Sequence, residues 1–149
     1  MPQSLVKILV HIVFSTKDRI RIIPPEFEPQ LFGFISGVMQ NNGSKLIIAG
    51  GDMDHDHFLT SLGRIDVSEL IGDVKRESSS WIKKQDARFR DFYWQRGYGA
   101  FSIGQSQVPA VSRYIRDQKQ HHQQITYQDE FRALCRKYDV EIDERYCWD

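Results

Sequence analysis

Residues 45–62 read KLIIAGGDMDHDHFLTSL. An apolar run through Leu46–Ala49 ends on Gly50 and Gly51, and a second run, His55–Leu62, begins after only Asp52, Met53 and Asp54. So tight a connection predicts an antiparallel hairpin of 45–51 against 55–62. Alternate side chains on a strand share a face, so His55 and His57 project together, near enough to hold one ion between them. Isolated, an H-x-H pair is a weak signal, and two half-exposed surface histidines would read the same.

Upstream, LVKILVHIVFS (5–15) alternates. Val6, Ile8, Val10, Ile12 and Phe14 form one apolar face, with Lys7, Leu9, His11, Val13 and Ser15 on the other, which predicts a strand. His11 on the more polar face could neighbour His55 and His57, and is read first as a structural histidine. STKDRIRIIPPE is a loop ended by Pro24 and Pro25. Residues 26–41 place Phe27, Leu31, Phe34, Ile35, Val38 and Met39 at helical spacing, with Pro29 tolerated in the first turn and NNGS closing the helix. Downstream, 66–84 is predicted helical with Ser68 as N-cap, DARFRDFYWQRGYGAFSI is a basic, aromatic loop entering a strand at 99–103, and helices follow over 107–122 and 127–138, the last capped by Thr126. The order β-α-β-β-α-β-α-α begins with a split βαβ unit. That predicts an α+β, ferredoxin-like (RRM-like) antiparallel sheet with helices on one face, plus an extra C-terminal helix bearing Tyr114 near the open face.

A chain of 149 residues fits a single domain, 1–149, with a core of useful size. No apolar run approaches the ~18–20 residues of a membrane span. Lys7 and His11 interrupt the N-terminal apolar run and no small-residue cleavage site follows, against a secretory leader. Cys135 and Cys147 lack metal-type spacing and are read as reduced cytosolic thiols, with a disulfide between them left open. Net charge is zero, yet Lys75–His122 holds ten Lys/Arg against four Asp/Glu, while Asp129–Asp149 holds seven acids against four bases. A basic middle and an acidic end suit a polyanionic partner on one surface.

Tyr114 and Gln118 stand four residues apart, on one helical face, among Arg113, Arg116 and Lys119. A tyrosine hydroxyl, with an ordinary pKa of ~10, is a weak nucleophile at neutral pH. It can attack a phosphodiester when a divalent ion polarises the phosphoryl oxygens and neutralises developing charge. Two imidazoles and one amide oxygen would hold such an ion loosely, leaving positions for phosphate. The resulting phosphotyrosine conserves the bond energy, so joining needs no ATP. No carboxylate pair, Gly-rich phosphate loop or Ser/His/Asp set competes for the chemistry.

HIVFSTKDR, DHDHFLTSL, WQRGYGAFSI, VSRYIRDQKQHH and DERYCWD, in that order, resemble the HUH-type single-tyrosine transposases of insertion sequences that move as single-stranded DNA, the IS200-like family. The resemblance runs from about residue 4 to 149. It implies that His55, His57 and Gln118 bind Mg2+ or Mn2+ and that Tyr114 attaches to the 5′ side of the cleaved strand. It also implies recognition of subterminal DNA hairpins and a homodimer, in many members with the tyrosine helix acting in trans. One position departs from the family pattern: the residue between the histidines is usually bulky and apolar, and here it is Asp56. Burying an unpaired carboxylate is costly, so Asp56 is expected to find a partner, to sit at a solvated strand end, or to mark a weakened member. His121 and His122 are read as the basic end of the tyrosine helix, complementing its dipole.

Candidate DNA contacts are the bases that would meet phosphates and the aromatics on which unpaired bases would stack. They are Lys17, Arg19 and Arg21 in the first loop; Lys75, Arg76, Lys83 and Lys84 on the second helix; Arg88, Arg90, Trp94, Arg96 and Tyr98 in the aromatic loop; and Arg113, Arg116 and Lys119 around the tyrosine. The principal alternative is a catalytically weakened hairpin-binding protein of the same fold. A replication initiator or relaxase would need a second domain, and an RNA-binding ferredoxin-like module would leave H-x-H with Y-x-x-x-Q unexplained.

Overall fold

The computed structural model describes residues 2–149. Its elements are β1 (Leu9–Ser15), α1 (Glu28–Asn41), β2 (Lys45–Asp52), β3 (His55–Ser61), α2 (Val67–Lys83), β4 (Gly99–Ile103), α3 (Val108–Arg116), α4 (Gln118–His121) and α5 (Tyr127–Lys137). The strands form one antiparallel sheet in the order β2-β3-β1-β4. That is the strand order of a split βαβ unit, as the element sequence requires. Among the described residues, no helix is long and apolar enough to cross a membrane.

Period-two patterning sorts the side chains. Val10, Ile12 and Phe14 of β1 and Phe58 of β3 bury against Leu31, Ile35, Val38 and Met39 of α1 and Leu70, Ile71, Val74 and Ile82 of α2. The opposite face is covered as well. Leu9, Leu59 and Ile103 pack under Val111 and Ile115 of α3, and Val13 and Phe101 pack under Tyr127, Phe131 and Leu134 of α5. The sheet is therefore enclosed on both faces, and the histidines lie in the layer beneath α3, α4 and α5.

Several expectations need correction. The first strand starts at Leu9, not at residue 5. Its partner β3 ends at Ser61, opposite Leu9, so Leu5, Val6 and Ile8 run past the sheet and are exposed. The N-cap of α2 is Asp66, whose carboxylate accepts from Glu69 N at 2.8 Å, and Ser68 falls inside the first turn. The single helix expected over 107–122 breaks at Asp117 (φ −94°, ψ 21°) into α3 and α4. Thr126 caps α5 as expected, accepting from Asp129 N at 3.1 Å.

Candidate active site

β3 delivers His55 and His57 to one face, both wholly buried. The short β2–β3 connection sets Asp54 beside them, and its Oδ1 lies 2.7 Å from His55 Nδ1. A carboxylate there accepts the Nδ1 proton and turns Nε2 inward, the arrangement that orients metal-binding imidazoles. His57 Nδ1 lies 2.7 Å from Nε2 of His11, which is buried on the neighbouring strand. Burial and the charge of His57 lower the His11 pKa to about 3, so its ring is neutral and can orient His57 without adding charge. Burial likewise lowers the His57 pKa, against the pull of Glu130.

Gln118 enters from the start of α4 with Oε1 2.9 Å from His55 Nε2, while its Nε2 donates to the Tyr114 carbonyl at 3.3 Å. The four-residue spacing from Tyr114 thus survives the break at Asp117. Glu130, on α5, is buried with Oε1 2.9 Å from His57 Nε2, 3.1 Å from His122 Nε2 and 3.5 Å from His55 Nε2. Its Oε2 accepts the Tyr114 hydroxyl. Burial would raise the Glu130 pKa, but attraction to His57 and hydrogen bonds from His122 and His57 prevail and hold it far below the ordinary carboxylate range. Tyr114 is displaced the other way, its pKa raised by burial and then by the negative charge of Glu130. His122 opposes burial through its bonds to Glu130 and to the Ile125 carbonyl, and its pKa is raised.

All four residues expected at the reaction centre (Tyr114, His55, His57 and Gln118) therefore meet in one place. The donor set suits a divalent ion: imidazole nitrogens, an amide oxygen and a carboxylate oxygen lie about 3 Å apart, the spacing of neighbouring ligands roughly 2.1 Å from a shared ion. His55, His122 and Glu130 alone place ligand atoms within 4.8 Å of one another. A cavity of about 400 Å3 opens between α3 and α5 beside Tyr114, lined also by His11, Val111, Leu134 and Tyr138. A larger concavity, about 730 Å3, follows the outer edge of β4 and the C-terminal tail, away from the histidines.

Sequence reading missed Glu130, His122, Asp54 and the orienting part of His11. Glu130 left one trace: it interrupts an apolar helical stripe of Tyr127, Phe131 and Leu134, where a solvent-facing acid would not fall. His122 stands at a helix end as expected, as the C-cap of α4, and its ring in addition reaches Gln118 Oε1, 3.0 Å away. Asp56 meets neither structural expectation. It is wholly buried on the α1 side of the sheet, and neither carboxyl oxygen has a hydrogen-bond partner among the described residues.

The basic candidates separate. Arg113, Arg116, Lys84, Arg90 and Arg96 are exposed. Arg21 pairs with Asp52, Arg76 with Asp73 and Arg88 with Asp86, each with its guanidinium at the surface. Arg19 donates to the Trp148 carbonyl, and Lys119 bonds Glu28 at 2.5 Å and the Gly51 carbonyl at 3.0 Å. Two assignments fail as surface contacts. Trp94 is buried against Phe14 and Phe92, with its indole N–H bonded to Ser78, so it offers no face to a base. Lys75 donates to the carbonyls of Gln95, Arg96 and Gly97 and lies over the rings of Phe14 and Tyr98, a tie that orders the loop. Exposed aromatics beside the basic residues are Tyr98 and Tyr93, the latter with Lys83 Nζ 4.0 Å and Lys17 Nζ 5.8 Å from its ring centre.

Comparison with known proteins agrees with this fold. Solved structures of similar fold include a protein described as a transposase from Deinococcus radiodurans (TM-score 0.61, 16% identity, covering 77% of this chain and 95% of the other). Another is a REP-associated tyrosine transposase bound to a REP hairpin (TM-score 0.57, 14% identity, covering 77% of this chain and 68% of the other). No curated protein matches the chain. Residues 4–118, a span that includes His55, His57, Tyr114 and Gln118, match the family described as "Transposase IS200 like", and the chain belongs to that transposase family.

Proposed function

We propose that this transposase cleaves and rejoins single-stranded DNA at insertion-sequence ends through a phosphotyrosine at Tyr114, assisted by a divalent ion held by His55, His57 and Gln118. The observation that carries the proposal is the convergence of the Tyr114 hydroxyl, the Nε2 atoms of both histidines and Gln118 Oε1 on one buried space. An ion held by these residues would supply positive charge to the phosphate and to the developing phenolate. Tyr114 attacks phosphorus and the adjoining 3′ oxygen leaves. Glu130 Oε2, which already accepts the phenol hydrogen, would pass that proton on to the departing 3′ oxygen, because its lowered pKa keeps it from retaining the proton itself. Burial and the charge of Glu130 both oppose a phenolate, an opposition that a cation at the site would offset.

The cavity beside Tyr114 gives the strand its path to the phenol. Subterminal hairpins are the proposed DNA partner, a reading supported by the hairpin in the structural neighbour. Their phosphates would meet Lys17, Lys83, Lys84, Arg90 and Arg96, with Tyr93 in place of Trp94 as the stacking surface. A homodimer, with the tyrosine helix acting in cis or in trans, completes the proposal. Asp56 favours one second reading, a hairpin-binding member with weakened catalysis.

End-labelled single-stranded DNA carrying the element's own hairpin, mixed with the protein and Mg2+ or Mn2+, distinguishes the two. An SDS-stable adduct is expected with wild type and none with Tyr114→Phe or with EDTA. Hairpin binding without any adduct would establish the second reading, and an adduct persisting in Tyr114→Phe would remove Tyr114 as nucleophile.

A further inference from the structure

His122 and Glu130 lie beyond residue 118, where the family match ends, yet their side chains are as much part of the centre as the histidines of β3. Their hydrogen bonds say what they are placed to do. His122 Nδ1 lies 2.9 Å from the Ile125 carbonyl, an acceptor only, so Nδ1 carries the proton and Nε2 points into the cluster. His55 is fixed the same way by Asp54. Facing these two Nε2 atoms are Gln118 Oε1, turned inward because its amide nitrogen serves the Tyr114 carbonyl, and Glu130 Oε1, a carboxylate oxygen. Neither oxygen can donate a hydrogen. Ring nitrogens and acceptor oxygens from four side chains therefore gather at 2.9–3.5 Å, and His57 Nε2 adds a fifth potential ligand atom 2.9 Å from Glu130 Oε1. His55, His122 and Glu130 place ligand atoms within 4.8 Å of one another, so one cation could be held by all of them.

We propose that His122 and Glu130 are ligands of the same ion as His55, His57 and Gln118, forming a centre of three imidazoles, a carboxylate and an amide that takes a first-row transition ion such as Mn2+ in preference to Mg2+. The proposal rests on the metal-assisted reading above and extends it to the C-terminal segment. Mg2+ favours oxygen ligands and keeps much of its water, whereas imidazole-rich sets suit transition ions. Glu130 then has two separate attachments. Oε1 belongs to the ion, and Oε2 holds the Tyr114 hydroxyl beside it, so α5 ties nucleophile to metal.

Mn2+ binding, read from the loss of the free-ion EPR signal without DNA, tests this apart from activity. Wild type is expected to bind one Mn2+ per chain, not displaced by a ~100-fold excess of Mg2+. His55→Ala, His122→Ala and Glu130→Gln are each expected to weaken binding by about 10- to 100-fold. Glu130→Gln is isosteric, and His122→Gln provides a second probe should His122→Ala fail to match the wild-type far-UV spectrum. Wild-type Mn2+ affinity in both the His122 and Glu130 variants, with His55→Ala defective, would overturn this ligand set and leave the parent reading standing. Ready displacement by Mg2+ would overturn the preference. Failure of wild type to bind any divalent ion would remove the parent reading too.

Discussion

Asp56 faces away from the histidines that flank it, toward α1, where burial raises its pKa well above the ordinary value and nearby Glu28 adds to the effect. The folded chain therefore keeps a proton on Asp56 at pH values where the unfolded chain has released it. Between the ordinary value, near 4, and the raised one, the folded state binds more protons, so this residue's contribution to stability falls as pH rises. Asp56→Asn removes the titration and nearly preserves the shape. The variant should melt like wild type near pH 4 and be more stable by about 1–3 kcal/mol near neutrality. Urea unfolding at the two pH values checks this, and equal stability of the two proteins at neutral pH would count against it. That Asp56 is anomalous was legible from the sequence. How it is accommodated was not, because period two gives the face of the sheet and says nothing of what the facing helix offers.

Among the elements, α3 comes closest to the sheet where β2 has no side chain. A Cβ on Gly50 would sit 2.2 Å from the Ile115 carbonyl oxygen, in the residue that follows Tyr114. Gly50→Ala should therefore lift α3, costing about 1–3 kcal/mol through overpacking. It should also lower the yield of covalent adduct while hairpin affinity stays near wild type. Thermal melts, gel adduct yield and a binding titration read these together, and an unchanged adduct yield would mean that the close approach does not position the nucleophile. Strands and helices at regular spacing were legible because each period dictates its own buried face. The break at Asp117 was not, because 107–122 has no internal glycine and its only proline lies in the first turn. Tertiary contacts accompany it: buried Gln118 against His55, and Lys119 against Glu28 and the Gly51 carbonyl.

At the scale of the molecule, two cores enclose one sheet, and the proposed reaction centre lies in the layer that the split βαβ unit alone would leave open. His55 and His57 were legible because one residue of spacing puts both on one strand face, and Tyr114 and Gln118 because four residues put both on one helical face. Glu130 was not, because only the docking of α5 on β1 and β4, through Phe131 and Tyr127 against Val13 and Phe101, brings it in; His122 follows Gln118 by four residues and enters from the end of α4. The basic middle of the chain was legible as a surface. Which of its members point outward depended on the loop that buries Trp94 and ties down Lys75. The central claim is that the Tyr114 hydroxyl stands beside a single divalent ion held by His55 and His57, residues far from it in sequence. Anomalous diffraction from crystals grown with Mn2+ tests it most directly. The account predicts a single strong peak within about 2.0–2.4 Å of the Nε2 atoms of His55 and His57, beside the Tyr114 hydroxyl. A peak elsewhere, with none between those two rings, would contradict it.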